Sequence, residues 1–555
     1  MLKRHWGMLA TAAMFATGPA GAQTAGDTRQ IDRLEGQIQA LQREVGDLKE
    51  KALTAQKNTY AAAAAPGVAA KTPVAPPTAI ATMSPNYRPS ICTPDQQNCI
   101  SLTGVLQFDF GGYNYRPATG LGIAATGVPI APSTVPQQLD DGVNVRRGRI
   151  GVLGKFMSDW NYALIYDFGN SSDGFGGLAP GSLPGGGISG LENAYLSYTG
   201  FKPFAIEGGY MVVPYTLDQS TSSNDTMFLE RASSQVIAAN IAAGDFRSAG
   251  GIRGYNDWVW AGGYFTGPVS GTIHTDTTSV TTLATVPAGC TTPSGTTKCS
   301  AATPVNVTTA GASEQYGSTA RLAFQALQGP GYSLHLGGDF EVLLSPPVGP
   351  ATTATAGKRT LTLSDRPELR IDPAVLLNTG AIANVSNAEV YSVEAAAGWG
   401  PLFFQSEYFW FRVNREVPSN VAPAPPSSAL SFNGGYAEAS WTITGESRVY
   451  IPATGAYSAI KPQNPVNAGG TGWGAWELAG RYSVMNVNDE LGSLAGIAGG
   501  QQTVYTAGLN WYVNNNITFK LNYLHGIFEK QASTLSTVNV GANFDAIAGR
   551  MQIVF

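Results

Sequence analysis

The last thirteen residues of the chain, 543–555, read NFDAIAGRMQIVF and decide the fold. One face of the extended segment carries Ile547, Met551, Ile553 and Phe555, and the other face carries Ala548, Arg550 and Gln552. Residues 517–523, ITFKLNY, alternate in the same way. Alternation with a period of two predicts β-strands that have one apolar and one polar face.

The same alternation recurs from about residue 100 to the end of the chain. We predict sixteen strands, at about 102–115, 143–156, 160–169, 190–199, 204–212, 246–254, 258–266, 315–325, 332–342, 389–398, 402–413, 434–443, 474–486, 502–512, 517–528 and 543–555. Every second connection is short and the intervening ones are long. The connection 444–473 breaks this rule, because it should be a short turn and spans thirty residues.

The strand faces distinguish a membrane barrel from a soluble β-sandwich. Aromatic residues crowd the strand ends, and the second face mixes Gly, Ala, Ser, Asn and charges. Apolar outward faces, polar inward faces and aromatic girdles are typical of transmembrane β-barrels. Backbone groups in lipid must all be paired, so the sheet has to close. The predicted fold class is all-β, an antiparallel transmembrane barrel of about sixteen strands.

Composition excludes several functional classes. Only 13 % of the 555 residues are charged, and the formal net charge of −5 argues against a nucleic-acid partner. The sequence contains no apolar run of about 18 residues, the length that a membrane-spanning helix needs, so no such helix is predicted. The four histidines are scattered, and no catalytic or phosphate-binding motif is present. We therefore expect no enzyme, no metal and no cofactor.

The N-terminal segment has three predicted parts. Residues 1–22 resemble a secretory signal peptide, the alternative being a disordered basic tail. Residues 23–57 form a periplasmic coiled coil, or else a lone amphipathic helix, because heptad positions are filled by Ile31, Leu34, Ile38, Leu41, Val45 and Leu48. Residues 58–99 are an Ala/Pro-rich linker that ends in a short cysteine loop, and the barrel domain is 100–555.

Four cysteines form two local pairs, Cys92 with Cys99 and Cys290 with Cys299. Neither spacing fits a zinc site, so we predict two structural disulfides in an oxidising compartment. Their role would be to stiffen loops.

Several stretches are similar to the phosphate-selective porin O and P family of Gram-negative outer membranes. They are VRRGRIGVLGK at 145–155, YDFG at 166–169, NAYLSYTG at 193–200, MFLER at 227–231 and WELAGRYS at 476–483, together with the terminal Phe555. The resemblance runs along most of residues 100–555. It implies a sixteen-stranded trimeric porin in the outer membrane.

The segment 213–245 is the third long connection, and in porins generally that loop folds inward as the constriction. Its candidate residues are Asp218, Ser222, Ser223, Asn224, Asp225, Glu230 and Arg231. The alternative is a lid that lies outside the mouth of the pore. Family members often carry Lys after the Thr-Ser-Ser of this loop, and here that position is Asn224.

Strand parity places both signs of charge on the inner wall. The candidate selectivity residues are the basic Arg147, Arg149, Lys155, Arg481 and Arg550, expected in one quadrant, and the acidic Glu394, Glu407 and Glu438 opposite. Alternatively each arginine pairs with a carboxylate to stiffen the wall. Residues 100–555 carry 23 Lys and Arg against 31 Asp and Glu, a net charge of −8.

Three functions remain open. The first is a porin through which small hydrophilic solutes or ions diffuse passively, with anions such as phosphate as one candidate class. The second is an anchor whose barrel does not conduct and whose N-terminal segment contacts peptidoglycan, and the third is an outer-membrane hydrolase. Expected partners of the porin are the lipid bilayer and two further copies of the chain. The heptad alone, with Leu at d, favours two strands.

Overall fold

The computed structural model describes residues 79–83, 88–118, 139–169, 190–242, 246–269, 276–282, 305–311, 316–346, 359–416, 429–467 and 469–555. The predicted signal peptide, the coiled coil and most of the linker lie outside these residues. Among the described residues, no helix has the length and apolar composition needed to cross a bilayer.

One large antiparallel sheet contains a short hairpin and sixteen long strands. The hairpin strands are β1 (Ile80–Met83) and β2 (Pro89–Cys92). The long strands are β3 (Cys99–Pro117), β4 (Gly142–Phe156), β5 (Trp160–Asp167), β6 (Leu191–Tyr198), β7 (Phe204–Met211), β8 (Arg247–Tyr255), β9 (Val259–Val269), β10 (Tyr316–Gly329), β11 (Tyr332–Ser345), β12 (Val385–Trp399), β13 (Leu402–Arg415), β14 (Leu430–Thr442), β15 (Ala475–Asp489), β16 (Ile497–Tyr512), β17 (Ile517–Glu529) and β18 (Ala542–Val554). The sixteen predicted strands are all confirmed.

The sheet closes on itself because β18 pairs with β3, from Ala542 opposite Pro117 to Val554 opposite Val105. The terminal Phe555 continues this seam, since its backbone exchanges hydrogen bonds of 2.9 and 3.0 Å with Gly104. Every one of the sixteen described strands thus has a neighbour on both sides, as a sheet surrounded by lipid requires.

The outer face of the barrel is apolar and its short-turn rim is aromatic. Side chains such as Leu106, Leu322 and Ile547 are exposed along the wall. Near the short turns, Trp160 packs on Tyr198, and Trp476 stacks on Trp511 with ring centroids 5.3 Å apart. This distribution is that of a surface that faces a bilayer.

The two predicted disulfides have different outcomes. Cys92 and Cys99 are bonded, which confirms the first pair. The second pair is not confirmed, because Cys290 and Cys299 both lie outside the described residues. The part of the chain that the structure describes therefore tests only the first of the two predicted bridges. A bond between Cys290 and Cys299 stays a prediction.

Three connections fold into the barrel. The crossing loop (212–242) leads from β7 towards β8 and carries helices α1 (Leu217–Ser220) and α2 (Ser233–Ile241). The 359–384 loop carries short strand pairs, 360–361 with 382–383 and 364–365 with 377–378. The inserted turn (443–474) carries the pair Tyr450–Ile451 and Ala456–Tyr457. A further pair, Asp276–Thr282 with Val305–Gly311, lies between β9 and β10.

Much of the interior is a packed hydrophobic core. Helix α2 and the 359–384 loop bury Ile237 and Leu377 against inward side chains of β12 to β14, such as Phe409 and Phe432. On β13 the inward side chains Phe409, Phe411 and Val413 are therefore apolar, so the inner face there does not have the polar residues that would mark a lumen. A solute therefore cannot pass through the part of the barrel interior that this core fills.

Candidate functional site

The crossing loop begins against the acidic wall. Glu407 accepts hydrogen bonds from the backbone N–H groups of Leu217 at 2.7 Å and Asp218 at 3.2 Å, and Asp339 accepts one from Thr216 at 3.2 Å. Carboxylates are favourable beside the free N–H groups at the start of a helix. Glu407, a predicted selectivity residue, thus holds the loop in the lumen.

The other two predicted acidic residues also contact internal partners. Glu394 accepts hydrogen bonds from Arg321 at 2.9 Å and pairs with His335 at 2.8 Å. Glu438 lies 4.0 Å from Arg481. The carboxylate oxygens of Asp339, Glu394 and Glu407 lie within 4.8 Å of one another, a spacing that a metal ion could use. Because protein hydrogen bonds satisfy all three, their arrangement is explained without one.

The far end of the crossing loop is held through its own Glu230, which binds arginines of the opposite wall. Arg146 approaches it with two bonds of 2.6 and 3.0 Å, and Arg550 adds one of 2.8 Å while also binding Asp109. Burial alone would raise the pKa of Glu230, but these guanidinium groups hold it well below its usual value. The loop therefore crosses the lumen between two charged anchors.

Two charged residues of the wall lie on the inner face although simple alternation along their strands would place them on the outer face. Gln107 pairs with Arg147 and Phe108 with Val145, so Arg146 is the extra residue of a bulge and shares the inner face with Arg147. A second bulge adds Glu192 between Leu191 and Asn193. Neither residue was predicted. For Arg146 the only signal is its place in the sequence Arg-Arg-Gly-Arg at 146–149, and that signal does not concern Glu192.

The 359–384 loop neutralises another predicted selectivity residue. Arg481 donates to Glu368 at 2.6 Å, and Ser483 donates to the second oxygen of the same carboxylate at 2.6 Å. Arg370 pairs with Asp365 at 3.0 Å. Arg481 and Arg550 therefore contact carboxylates beneath the loops.

The inserted turn explains the thirty-residue connection that had no account from the sequence. At its base, Arg448 donates to both oxygens of Glu477 at 2.9 and 3.0 Å, and to the backbone carbonyl of Asp225 at 2.9 Å. Burial opposes the charge of Arg448, but Glu477 outweighs it and raises the pKa of Arg448. The turn and the crossing loop are thereby joined.

The tip of the inserted turn reaches strands β8 to β10. The carbonyl of Ala453 accepts from Arg253 at 2.9 Å and from Trp260 at 3.2 Å. The carbonyls of Thr454 and Gly455 accept from Arg321 at 3.0 and 2.8 Å. Since the turn starts between β14 and β15, it also crosses the lumen.

A cavity of about 550 Å³ remains between these segments and the wall formed by β3 to β9, and we call it the lateral cavity. Its cationic lining residues are Arg88, Arg147, Arg149, Arg231 and Arg253. Its carboxylates are Glu192, Glu207 and Asp225. The lining thus carries five guanidinium groups and three carboxylates, while two further carboxylates outside the lining, Asp167 and Asp218, pair with Arg149 and Arg231.

Most of these charges have partners. Glu207 binds Arg253 at 3.0 Å, and Arg149 forms ion pairs with Glu192 and Asp167. Burial raises the pKa of Asp225, the carboxylate at the crossing-loop side of the cavity. The cavity is thus lined by fixed, ordered charges.

Arg147 differs from the other lining arginines. It is 5 % exposed, and its Nη1 donates to the neutral amide oxygen of Gln107 at 2.6 Å. Among the described residues, its Nε has no hydrogen-bond partner. An anion in the cavity is the partner that a buried guanidinium of this kind favours.

The remaining predicted residues fall into two groups, those that line the lateral cavity and those that do not. Ser222, Ser223, Asn224 and Arg231 line it together with Asp225. Asp218 is buried beside Arg231, 3.5 Å from its Nε. Lys155 lies at the short-turn end of β4 and does not line the cavity. The crossing loop therefore supplies one wall of the cavity, and Lys155 is not part of the lining.

Comparisons with known proteins identify the family of the chain. The family model described as "Phosphate-selective porin O and P" matches residues 133–555. Porin O of Pseudomonas aeruginosa is 22 % identical over 452 residues, which cover 75 % of this chain and 82 % of that protein. An uncharacterized protein of Caulobacter vibrioides is 24 % identical over 533 residues, covering 95 % and 90 %. The solved anion-selective porin from Comamonas acidovorans has a TM-score of 0.41 and 12 % identity, covering 82 % of this chain and 100 % of that one.

Proposed function

The chain belongs to the phosphate-selective porin O and P family, and from that premise we propose that its lateral cavity passes small hydrophilic anions. Family membership makes the protein an outer-membrane channel of a Gram-negative cell. The preference for anions is the part that we infer. Phosphate and small carboxylates are the solutes whose charge and hydrogen-bonding oxygen atoms match guanidinium groups.

Arg147 carries this proposal. Its buried guanidinium faces the cavity, and a neutral amide is its hydrogen-bond partner in the described structure. The charge is therefore not cancelled by a contacting carboxylate, unlike those of Arg149 and Arg253. Fixed charges at a narrow part of a pore determine which ion sign passes.

Conductance of the purified full chain in planar bilayers tests the proposal. We expect a reversal potential of anionic sign across a tenfold KCl gradient. Arg147→Gln should lower the anion-to-cation permeability ratio at least about fivefold, since a unit charge about 4 Å away in a water-like medium is worth about 1 kcal/mol. Arg147→Lys should retain the preference.

Arg412→Gln is the matched control, because Arg412 is exposed on the outer face and its loss removes the same charge. A cation-selective parent channel, or equal reversal potentials for Arg147→Gln and the parent, would overturn the assignment of anion selectivity to this cavity.

A barrel that does not conduct is the second candidate function, since three segments and a packed core occupy much of the lumen. Absence of any conductance in the folded protein would favour an anchor, with the N-terminal segment contacting peptidoglycan. The lateral cavity favours the channel, because a plugged anchor has no need of an arginine-lined cavity.

We also propose a homotrimer, supported by the family resemblance. Barrel packing would raise the effective concentration of the three heptad segments and override their dimeric preference. Cross-linking of detergent-solubilised protein should reach trimer, and deletion of residues 23–57 should leave that species intact. Cross-linking that stops at dimer would contradict the proposal.

A further inference from the structure

The residues immediately before the barrel extend its wall. Strand β2 pairs with the start of β3, through Ser90 with Ser101, Ile91 with Ile100 and Cys92 with Cys99. Strands β2 and β3 thus form a second hairpin, distinct from the β1–β2 hairpin, and the Cys92–Cys99 disulfide closes it. In its turn, Ser158 N–H donates to the Gln97 carbonyl at 3.0 Å, which ties it to the short turn after β4. The segment before β3 is therefore part of the barrel rim.

Side-chain parity gives β2 an inner face. The hydroxyl oxygens of Ser90 and Ser101 are 2.7 Å apart, so both lie on the same face. Thr103, two residues further along β3, is buried and lines the lateral cavity. Arg88 precedes Ser90 by two residues and therefore follows the same face.

Arg88 lines the lateral cavity together with Thr103, Val105 and Arg147. It is half-buried, and burial lowers the pKa of its guanidinium because the group is partly removed from water. A cation with reduced hydration attracts an anion more strongly than a fully hydrated one does. The position is at the short-turn end of the cavity, where a solute crosses the rim.

We propose that Arg88, supplied by the disulfide-closed hairpin ahead of the barrel, is a selectivity residue of the channel that draws anions across the short-turn rim. The inference rests on the proposed anion path through the lateral cavity. It extends that path beyond the sixteen strands to a residue of the linker. A charge at the mouth of a cavity with low-dielectric walls raises the local concentration of the oppositely charged solute.

The test compares Arg88→Gln, Arg88→Lys and the parent protein as full chains, with reversal potentials in a tenfold KCl gradient. We expect Arg88→Gln to lower the anion-to-cation permeability ratio about two- to fivefold, and Arg88→Lys to keep it near the parental value. The decrease should shrink as salt rises, because screening shortens the reach of the charge.

Lys202→Gln is the matched control, since Lys202 is an exposed cation in a short turn of the same rim and does not line the cavity. It should leave the ratio unchanged. An Arg88→Gln channel with the parental ratio, or one that Lys202→Gln imitates, would overturn the role of Arg88.

Arg147→Gln measured in the same experiment separates the two proposals. If Arg147→Gln lowers the ratio and Arg88→Gln does not, the anion path stands and the role of the hairpin is wrong. If neither variant changes it, the anion path itself is wrong. Heat-modified migration on gels, equal for all variants, shows that the barrels are folded.

Discussion

Replacing Arg448 by Met should release the inserted turn from the lumen. The variant loses the bonds from Arg448 to Glu477 and to the carbonyls of Asp225 and Ser458, and it leaves the Glu477 carboxylate buried without its cation. Removing one partner of a buried ion pair costs about 3–5 kcal/mol. The sixteen-stranded wall does not depend on this contact, so the cost falls on the docking of the turn.

The lost docking free energy determines how much the released population of the inserted turn increases. Each 1.4 kcal/mol is a factor of ten in an equilibrium, so the released population of the turn should rise by roughly two to three and a half powers of ten. When opening and closing are fast relative to cleavage, the rate of proteolysis follows the released population. Cleavage after Tyr457, which is only 2 % exposed in the docked turn, should therefore accelerate by a similar factor.

The assay is chymotrypsin digestion of the detergent-solubilised full chain, with cleavage after Tyr450 and Tyr457 followed by mass spectrometry. Single-channel conductance should rise in the same variant, because the tip contacts at Arg253 and Arg321 depend on the docked turn. Lys461→Met is the control, since Lys461 is an exposed cation of the same turn.

A double variant, Arg448→Met with Glu477→Gln, should recover part of the protection, because no unpaired charge remains buried. If Arg448→Met is cleaved as slowly as Lys461→Met and conducts like the parent, the turn is held by other contacts and the reasoning about this ion pair is refuted.

Three further predictions concern the cavity and the seam. Asp225→Asn should increase anion preference at neutral pH and weaken a pH effect of the parent, in which anion preference rises on acidification, because burial raises the pKa of Asp225 and acid removes its negative charge; a parent whose reversal potential does not change on acidification would contradict it. Asn224→Lys should raise the anion-to-cation ratio about fivefold, since the new cation enters the cavity lining; an unchanged ratio would show that position 224 lies outside the ion path. Gly104→Ala should destabilise the barrel by about 1–3 kcal/mol, because a Cβ there would lie 2.4 Å from the Phe555 ring. Thermal gel-shift assays should show a lower unfolding temperature than for Gly480→Ala, which meets no atom within 4 Å, and equal temperatures would refute the packing argument.

The wall of the barrel was predictable because lipid imposes a strict rule on it. Every strand needs an apolar outer face, so period-two alternation marks each of the sixteen strands to within a few residues. Closure of the sheet follows from the need to pair every backbone group in lipid. The count of strands and the alternation of short and long connections needed no information beyond the sequence.

The interior was less predictable because it obeys no such periodicity. Two bulges brought Arg146 and Glu192 onto the inner face, and a bulge changes parity without a composition signal. The inserted turn has the length of an outer loop, and its fold depends on Arg448 finding Glu477 next to it in space. Parity identified Arg147 and Arg149 as inward, but Glu368, which pairs with Arg481, and Glu230, which joins Asp109 in pairing with Arg550, come from distant loops.

The crossing loop and the inserted turn, which meet at Asp225 and Arg448, together divide the inside of the barrel into two compartments. On one side are Asp339, Glu394 and Glu407, already committed to backbone amides, an arginine and a histidine. On the other side is the lateral cavity. Because these three carboxylates are buried and bound to local partners, they contribute little to the potential along the solute path. The sum of charges along the chain therefore does not by itself determine the sign of ion that such a tube admits.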